Sequence, residues 1–149
     1  MKFSTKTRYG VMAMVQLARI AKGEKHVSLR SLAEEENISI AYLEQIFAVL
    51  RRAELVYSVR GAQGGYALSR KPEDIRIGDV VLALEGPTEI TRCVTGSPSG
   101  CRADHARCLT HDLWEKLGQH IDAYLNSVSL NDVLEHKLLL SSMSEKVAL

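Results

Sequence analysis

The chain has only three cysteines, an odd number, and no C-x-x-C pair. An odd count leaves no closed disulfide framework and suits a reducing compartment, where thiolates act as metal ligands. The missing C-x-x-C, with no nucleotide-binding loop, argues against a thiol or nucleotide-dependent enzyme. No apolar run approaches the ~18–20 residues that span a bilayer. Basic residues precede an apolar stretch in MKFSTKTRYGVMAMV, but Arg19, Lys22 and Lys25 follow without a small-residue cleavage site. The expectation is a cytoplasmic protein with neither signal peptide nor membrane partner. Charge of one sign is also scarce, the net value being +1. Divided along the chain it is uneven: residues 1–80 carry 13 Lys+Arg against 9 Asp+Glu, and residues 81–149 carry 6 against 9. The N-terminal half is thus mildly suited to face a polyanion.

What is present is ordinary globular material, 46% hydrophobic and 25% charged over 149 residues, enough for one domain with an appendage. From residue 4 to about 22, Val11, Met14, Val15 and Ala18 share a helical stripe with Leu17 and Ala21 beside it. Ser28 is a good N-cap for a second short helix through Leu29, Leu32 and Ala33, and Asn37 and Ile38 make a turn. Ser39 then caps a third helix whose Leu43, Ile46, Phe47 and Leu50 form the buried face. Two short helices joined by a tight turn, the second amphipathic, predict a helix-turn-helix. LVYSV, alternating Leu55, Tyr57 and Val59, predicts a strand. A glycine-rich turn (Gly61, Gly64, Gly65) leads to a return strand through Tyr66 and Leu68. A hairpin after the third helix is a wing. The fold class expected is mostly α with a small β-hairpin wing: a winged helix-turn-helix over residues 1–85.

In that arrangement the exposed face of the third helix, with Ser39, Ala41, Tyr42, Glu44, Gln45 and Arg52, meets double-stranded DNA. Gln45 suits adenine by a bidentate pair, and Glu44 accepts only from cytosine N4. Lys6, Arg8, Arg51 and Arg52 suit phosphates. Arg60 at the base of the wing, with Gln63 near its tip, suits a narrow minor groove that attracts guanidinium groups. A winged-helix interaction domain without DNA function is the blander reading, and any one of these side chains is also compatible with plain solvated surface.

Beyond the wing, residues 75–86 form a short helix carrying Val80, Val81 and Leu84. Residues 86–111 are a long loop that holds all three cysteines, and loops of such length inside compact domains are usually functional or disordered. From about Cys108 the helical pattern resumes, with Leu113, Leu117, Ile121, Tyr124 and Val128 on one stripe. So long an apolar stripe calls for a partner, and a second copy is the simplest one, because palindromic operators call for two-fold symmetry. Ser129 with Asp132 resembles a capping box, with Val128 and Val133 as its staple, opening a last helix to about Leu140. Residues 108–149 are thus expected to be a dimerisation helix and a C-terminal helix.

Cys93, Cys101, Cys108 and His111 bring four soft ligands within nineteen residues. Their spacing, Cys-x7-Cys-x6-Cys-x2-His, lacks the close pairs of structural zinc sites and matches neither ferredoxin pattern. Chemistry alone leaves a metal or an iron–sulfur cluster open. The Cys108–His111 separation places both on one helical turn, where the helix N-terminus and Arg92, Arg102 and Arg107 favour thiolates. His105 competes as a ligand. His26, His120 and His136 lie away from the cluster.

SIAYLEQIF (39–47), VRGAQGGY (59–66), TRC (91–93) and CLTHDLW (108–114) resemble the IscR-type transcriptional regulators, the iron–sulfur-sensing winged-helix family that includes NsrR and RirA. The similarity covers nearly all of residues 1–135. It implies a 2Fe–2S cluster held by Cys93, Cys101, Cys108 and His111, a homodimer on a palindromic operator, repressor-type transcription regulation, and control of cluster-assembly genes. The gap between the cysteines is wider than in IscR itself, and Ala41 stands where a small polar residue is expected. A zinc site or a thiol or nitric-oxide redox switch is the competing use of the cysteines.

Overall fold

The computed structural model describes residues 3–21, 26–61, 64–87 and 106–138. Ser4 opens α1 (Thr5–Ile20), its Oγ accepting the Thr7 N–H at 3.2 Å. The buried face of α1 carries Gly10, Ala13, Met14, Leu17 and Ala18. Val11 and Val15, expected at its centre, are half-buried at the flank. The displacement has a steric cause. A Cβ on Gly10 would stand 2.1 Å from Leu84 Cδ1, so the small residues Gly10 and Ala13 admit the neighbouring helix α4 (Ile77–Glu85) where larger side chains would hold it off.

Ser28 caps α2 (Leu29–Glu36) by accepting the Ser31 N–H at 3.1 Å. Asn37 then turns the chain in the left-handed region, at φ 52° and ψ 45°, a conformation its short polar side chain tolerates. Ser39 caps α3 (Ile40–Arg52) and accepts the Tyr42 N–H at 3.2 Å. Leu43, Ile46, Phe47 and Leu50 are its buried residues, as the periodicity predicts. At the far end Leu55 N–H reaches Leu50 O at 3.0 Å and Glu54 N–H reaches Arg51 O at 3.1 Å. This is the paired closure of a helix by a left-handed residue, here Glu54 at φ 57°.

The chain turns directly into β1 (Val56–Val59), antiparallel to β2 (Gly65–Leu68), with Val56 opposite Leu68 and Val59 opposite Gly65. The inward set differs from the alternation expected: Leu55 and Val56 are both buried, whereas Tyr57 is 49% exposed. Leu55 belongs to the helix closure rather than to the strand, so the pleat starts one residue later and Tyr57 faces outward. Gly65 is likewise a strand residue and not part of the turn. Val27, between α1 and α2, exchanges two hydrogen bonds of 2.8 Å with Tyr66. A Cβ on Gly65 would lie 2.3 Å from Val27 O, so only glycine permits this third backbone to approach. Phe47 and Tyr66 meet edge-on at 4.9 Å and lock the wing to α3.

After a 3-10 turn at Pro72–Asp74 come α4 (Ile77–Glu85), α5 (His111–Ser127) and α6 (Leu130–Leu134). α4 begins later than expected and buries Ile77, Val80, Val81 and Leu84. α6 opens with the expected capping box: Asp132 N–H donates to Ser129 Oγ at 3.1 Å, and Ser129 N–H donates to Asp132 Oδ2 at 2.9 Å. It breaks after Leu134, where His136 adopts a left-handed φ of 53°, and residues 137–138 are helical again. Residues 139–149 lie outside the described residues. Among the described residues no helix is long and apolar enough to cross a membrane.

Glu85, the last residue of α4, ties that helix to the start of α1. Its Oε2 accepts from Ser4 Oγ at 2.6 Å, from Ser4 N–H at 3.2 Å, and from the Thr7 hydroxyl. These bonds, the Ser4 hydroxyl first, hold its carboxyl below the ordinary value of 4.5. A depressed carboxylate pKa contributes stability above the unfolded value, which is lost as pH falls through the folded one. Acid titration of stability is therefore expected to separate wild type from Glu85→Gln at neutral pH, with the variant less stable. The two curves should converge once pH drops below the lowered pKa; parallel curves would contradict the assignment.

Candidate functional site

α3 presents Ser39, Ala41, Glu44 and Gln45 to solvent on its first turns. Ser39 is committed as the N-cap. Tyr42 is half-buried, its ring edge-on to Tyr9 of α1 at 6.0 Å and 84°. Arg8 lies 5.7 Å from the Tyr9 ring centroid, so α1 supplies a basic and aromatic flank to the start of α3. Lys6, one turn earlier on that flank, is half-buried. Tyr9 was not singled out from the sequence, since nothing in its spacing distinguishes it from core. At the other end of α3, Arg52 Nε donates to Ala48 O at 3.3 Å, and Arg51 Nη1 donates to Ser58 Oγ of β1 at 3.4 Å. Arg60 is exposed just beyond β1. Gln63 lies outside the described residues. The expected reading residues that are described thus fall on one helix and its two flanks, an arrangement suited to a helix in a groove with basic groups on either side.

Of the four expected ligands, Cys93 and Cys101 lie outside the described residues. Cys108 and His111 come together at the start of α5. Cys108 precedes the helix rather than starting it, and the His111 N–H closes a turn onto Cys108 O at 3.1 Å. Cys108 Sγ is half-buried, 3.5 Å from Thr110 Oγ1. His111 is the one buried residue of α5, and its Nε2 stands 3.7 Å from Glu115 Oε2. His111, Asp112 and Glu115 bring their ligand atoms within 4.8 Å of one another. A thiol and a shielded imidazole on one turn form half of a soft donor set, and they fit an iron–sulfur cluster or another thiolate-binding metal. Glu115 escaped the sequence reading, although its i+4 spacing from His111 on a helix was there to be seen.

The other end of α5 is fastened to the winged helix. Arg76 Nη1 donates to Ser127 O at 3.3 Å, Ile77 N–H to Val128 O at 2.8 Å, and Leu130 N–H to Ile75 O at 3.0 Å. Gly78 admits the turn: a Cβ there would lie 2.1 Å from Asn126 Oδ1. Between its ends α5 turns apolar side chains outward, with Leu113 60%, Tyr124 58% and Leu117 40% exposed.

Residues 3–136 match the Rrf2 family, described as an iron-dependent transcriptional regulator. IscR of Cereibacter sphaeroides is 40% identical over 139 residues, covering 93% of this chain and 90% of that protein. The solved structure of T. potens IscR is 44% identical, with a TM-score of 0.73 over 92% of this chain and 88% of that one. CymR, titled the global cysteine regulator of B. subtilis, is 37% identical with a TM-score of 0.73 over 91% and 98%. These relatives are regulators and not enzymes, and the mostly helical fold with its wing is theirs. On the match over residues 3–136 and these identities, the chain belongs to the Rrf2 family of DNA-binding transcriptional regulators, in company with IscR.

Proposed function

We propose that this regulator senses iron–sulfur cluster status through a 2Fe–2S cluster held by Cys93, Cys101, Cys108 and His111, and controls cluster-assembly genes from palindromic operators as a cytoplasmic homodimer. Residues 1–85 are the reading head, residues 86–111 the ligand loop, and residues 108–149 carry the dimerisation helix and the C-terminal helix. The observation that carries the reading is Cys108 one turn from the buried His111 at the start of a helix whose other end is bonded to the head. When bound, the cluster supplies a redox-active centre whose presence reports cluster supply.

Three thiolates outweigh the formal double positive charge of an oxidised 2Fe–2S core, so ligation adds no attraction for phosphate. Its effect on DNA is conformational and acts by shifting the populated state. α5, with 17 residues, is a rod of about 25 Å. Fixing Cys108 and His111 at one end sets the angle at which Arg76, Ile77 and Gly78 hold the reading head at the other. Ser39, Ala41, Tyr42, Gln45, Arg52, Arg60, Gln63, Lys6 and Arg8 bind the duplex, and Glu44 discriminates among operators. A carboxylate on the reading face repels phosphate, pairs best with cytosine N4, and meets only acceptors at guanine and thymine.

Selection from a randomised duplex library, with cluster-loaded and cluster-free protein in parallel, tests this. The expected result is a palindromic consensus, bound more weakly as salt rises, and a different tolerance in the two states. Glu44→Ala is expected to relax discrimination at one position per half-site, by about 1–3 kcal/mol. The same enriched sequences with and without cluster would remove the sensing role, and unchanged discrimination in Glu44→Ala would remove the role of Glu44.

A further inference from the structure

Glu115 serves neither the core nor the reading face. It lies one helical turn beyond His111, with 17% of its side chain exposed against 5% for His111, and its Oε2 stands 3.7 Å from His111 Nε2. Two groups this shielded interact with little screening by solvent. The neighbouring acid Asp112 is open, 85% of its side chain exposed, and lies 3.7 Å from Arg107 Nη1. Metal-ligating histidines commonly present one ring nitrogen to a carboxylate, which fixes the tautomer and makes the other nitrogen a stronger donor. At 3.7 Å Glu115 Oε2 is an ion-pair contact just beyond hydrogen-bond reach of Nε2, one side-chain adjustment short of such a bond.

We propose that Glu115 is a positioning residue for the histidine ligand: it keeps the proton of the His111 ring on Nε2, directs Nδ1 to the metal, and through that ring favours the oxidised cluster. This rests on His111 being a ligand, as proposed above. The carboxylate places a negative charge behind the ligand, so its removal weakens retention of the cluster and makes reduction easier.

The test uses the full chain, purified without oxygen with its cluster, as wild type, Glu115→Gln and the control Asp122→Asn, an exposed acid further along α5. Glu115→Gln preserves shape and removes the charge. Expected for Glu115→Gln is loss of cluster to EDTA about 10–100-fold faster than in wild type, and a higher midpoint potential. A tenfold change in the relative affinity for the two oxidation states reads as about 59 mV. In iron-free protein, ¹⁵N spectra are expected to show the Nε2–H tautomer of His111 dominant in wild type and diminished in Glu115→Gln. Asp122→Asn should match wild type throughout. A loaded Glu115→Gln with the potential, retention and tautomer of wild type overturns the role of Glu115 while leaving the cluster in place. A wild type that carries no iron overturns the ligand reading itself, and the tautomer comparison then decides separately whether Glu115 sets the ring.

Discussion

Cys108→Ala is expected to give a folded, colourless protein with iron and sulfide at background. Cys108 sits outside the core, half-buried in the turn that leads into α5, with Thr110 Oγ1 3.5 Å from its Sγ. Truncating it creates no cavity among core side chains, so the stability change should stay near the ±0.5 kcal/mol of an ordinary surface substitution. A cluster deprived of one thiolate has no equivalent to replace it, since all three cysteines already belong to the proposed set. Full helical circular dichroism beside a lost visible spectrum would separate ligand loss from unfolding. A coloured Cys108→Ala protein with normal iron would exclude Cys108 as a ligand.

The second large effect concerns the outward face of α5. Leu113, Leu117 and Tyr124 are exposed along its length, and Leu82 of α4 and Leu109 before α5 add two more exposed apolar side chains. Scattered exposed apolar residues are normal, but under the proposed homodimer this helical series is the association surface. Charges placed on it, as in Leu113→Glu with Tyr124→Glu, are expected to yield a monomer by sedimentation and to leave each half-site bound singly. Joining two modules raises binding by about 10²–10⁴-fold, and operator affinity should fall by that factor. The fold should survive, because neither side chain is in the core. A double variant that sediments as wild type would place the association surface elsewhere.

The reading head was largely legible because its signals are local. Ser4, Ser28 and Ser39 each cap a helix within the next three residues, and the 3.6-residue period picked out the buried face of α3 entire. What failed depended on another part of the chain. The inner face of α1 follows Gly10 and Ala13, which mark a core only once α4 lies against them. The alternation of Leu55, Tyr57 and Val59 marks a strand but not one face of it, because Leu55 belongs to the closure of α3 and Tyr57 is exposed. Gly65 reads as a turn residue in sequence, whereas its need for glycine comes from Val27, 38 residues earlier. At the ligand end, Cys108 and His111 were visible as residue types. The carboxylate of Glu115 was hidden only because acidic residues on exposed helices are common, and its burial beside His111 is a tertiary fact.

One measurement bears most directly on the whole account: the visible spectrum of the chain purified without oxygen, with iron and sulfide counted per polypeptide. The expected result is a brown protein with charge-transfer bands, two iron and two sulfide per chain, the content of a single 2Fe–2S cluster. A colourless protein carrying one zinc per chain would contradict it.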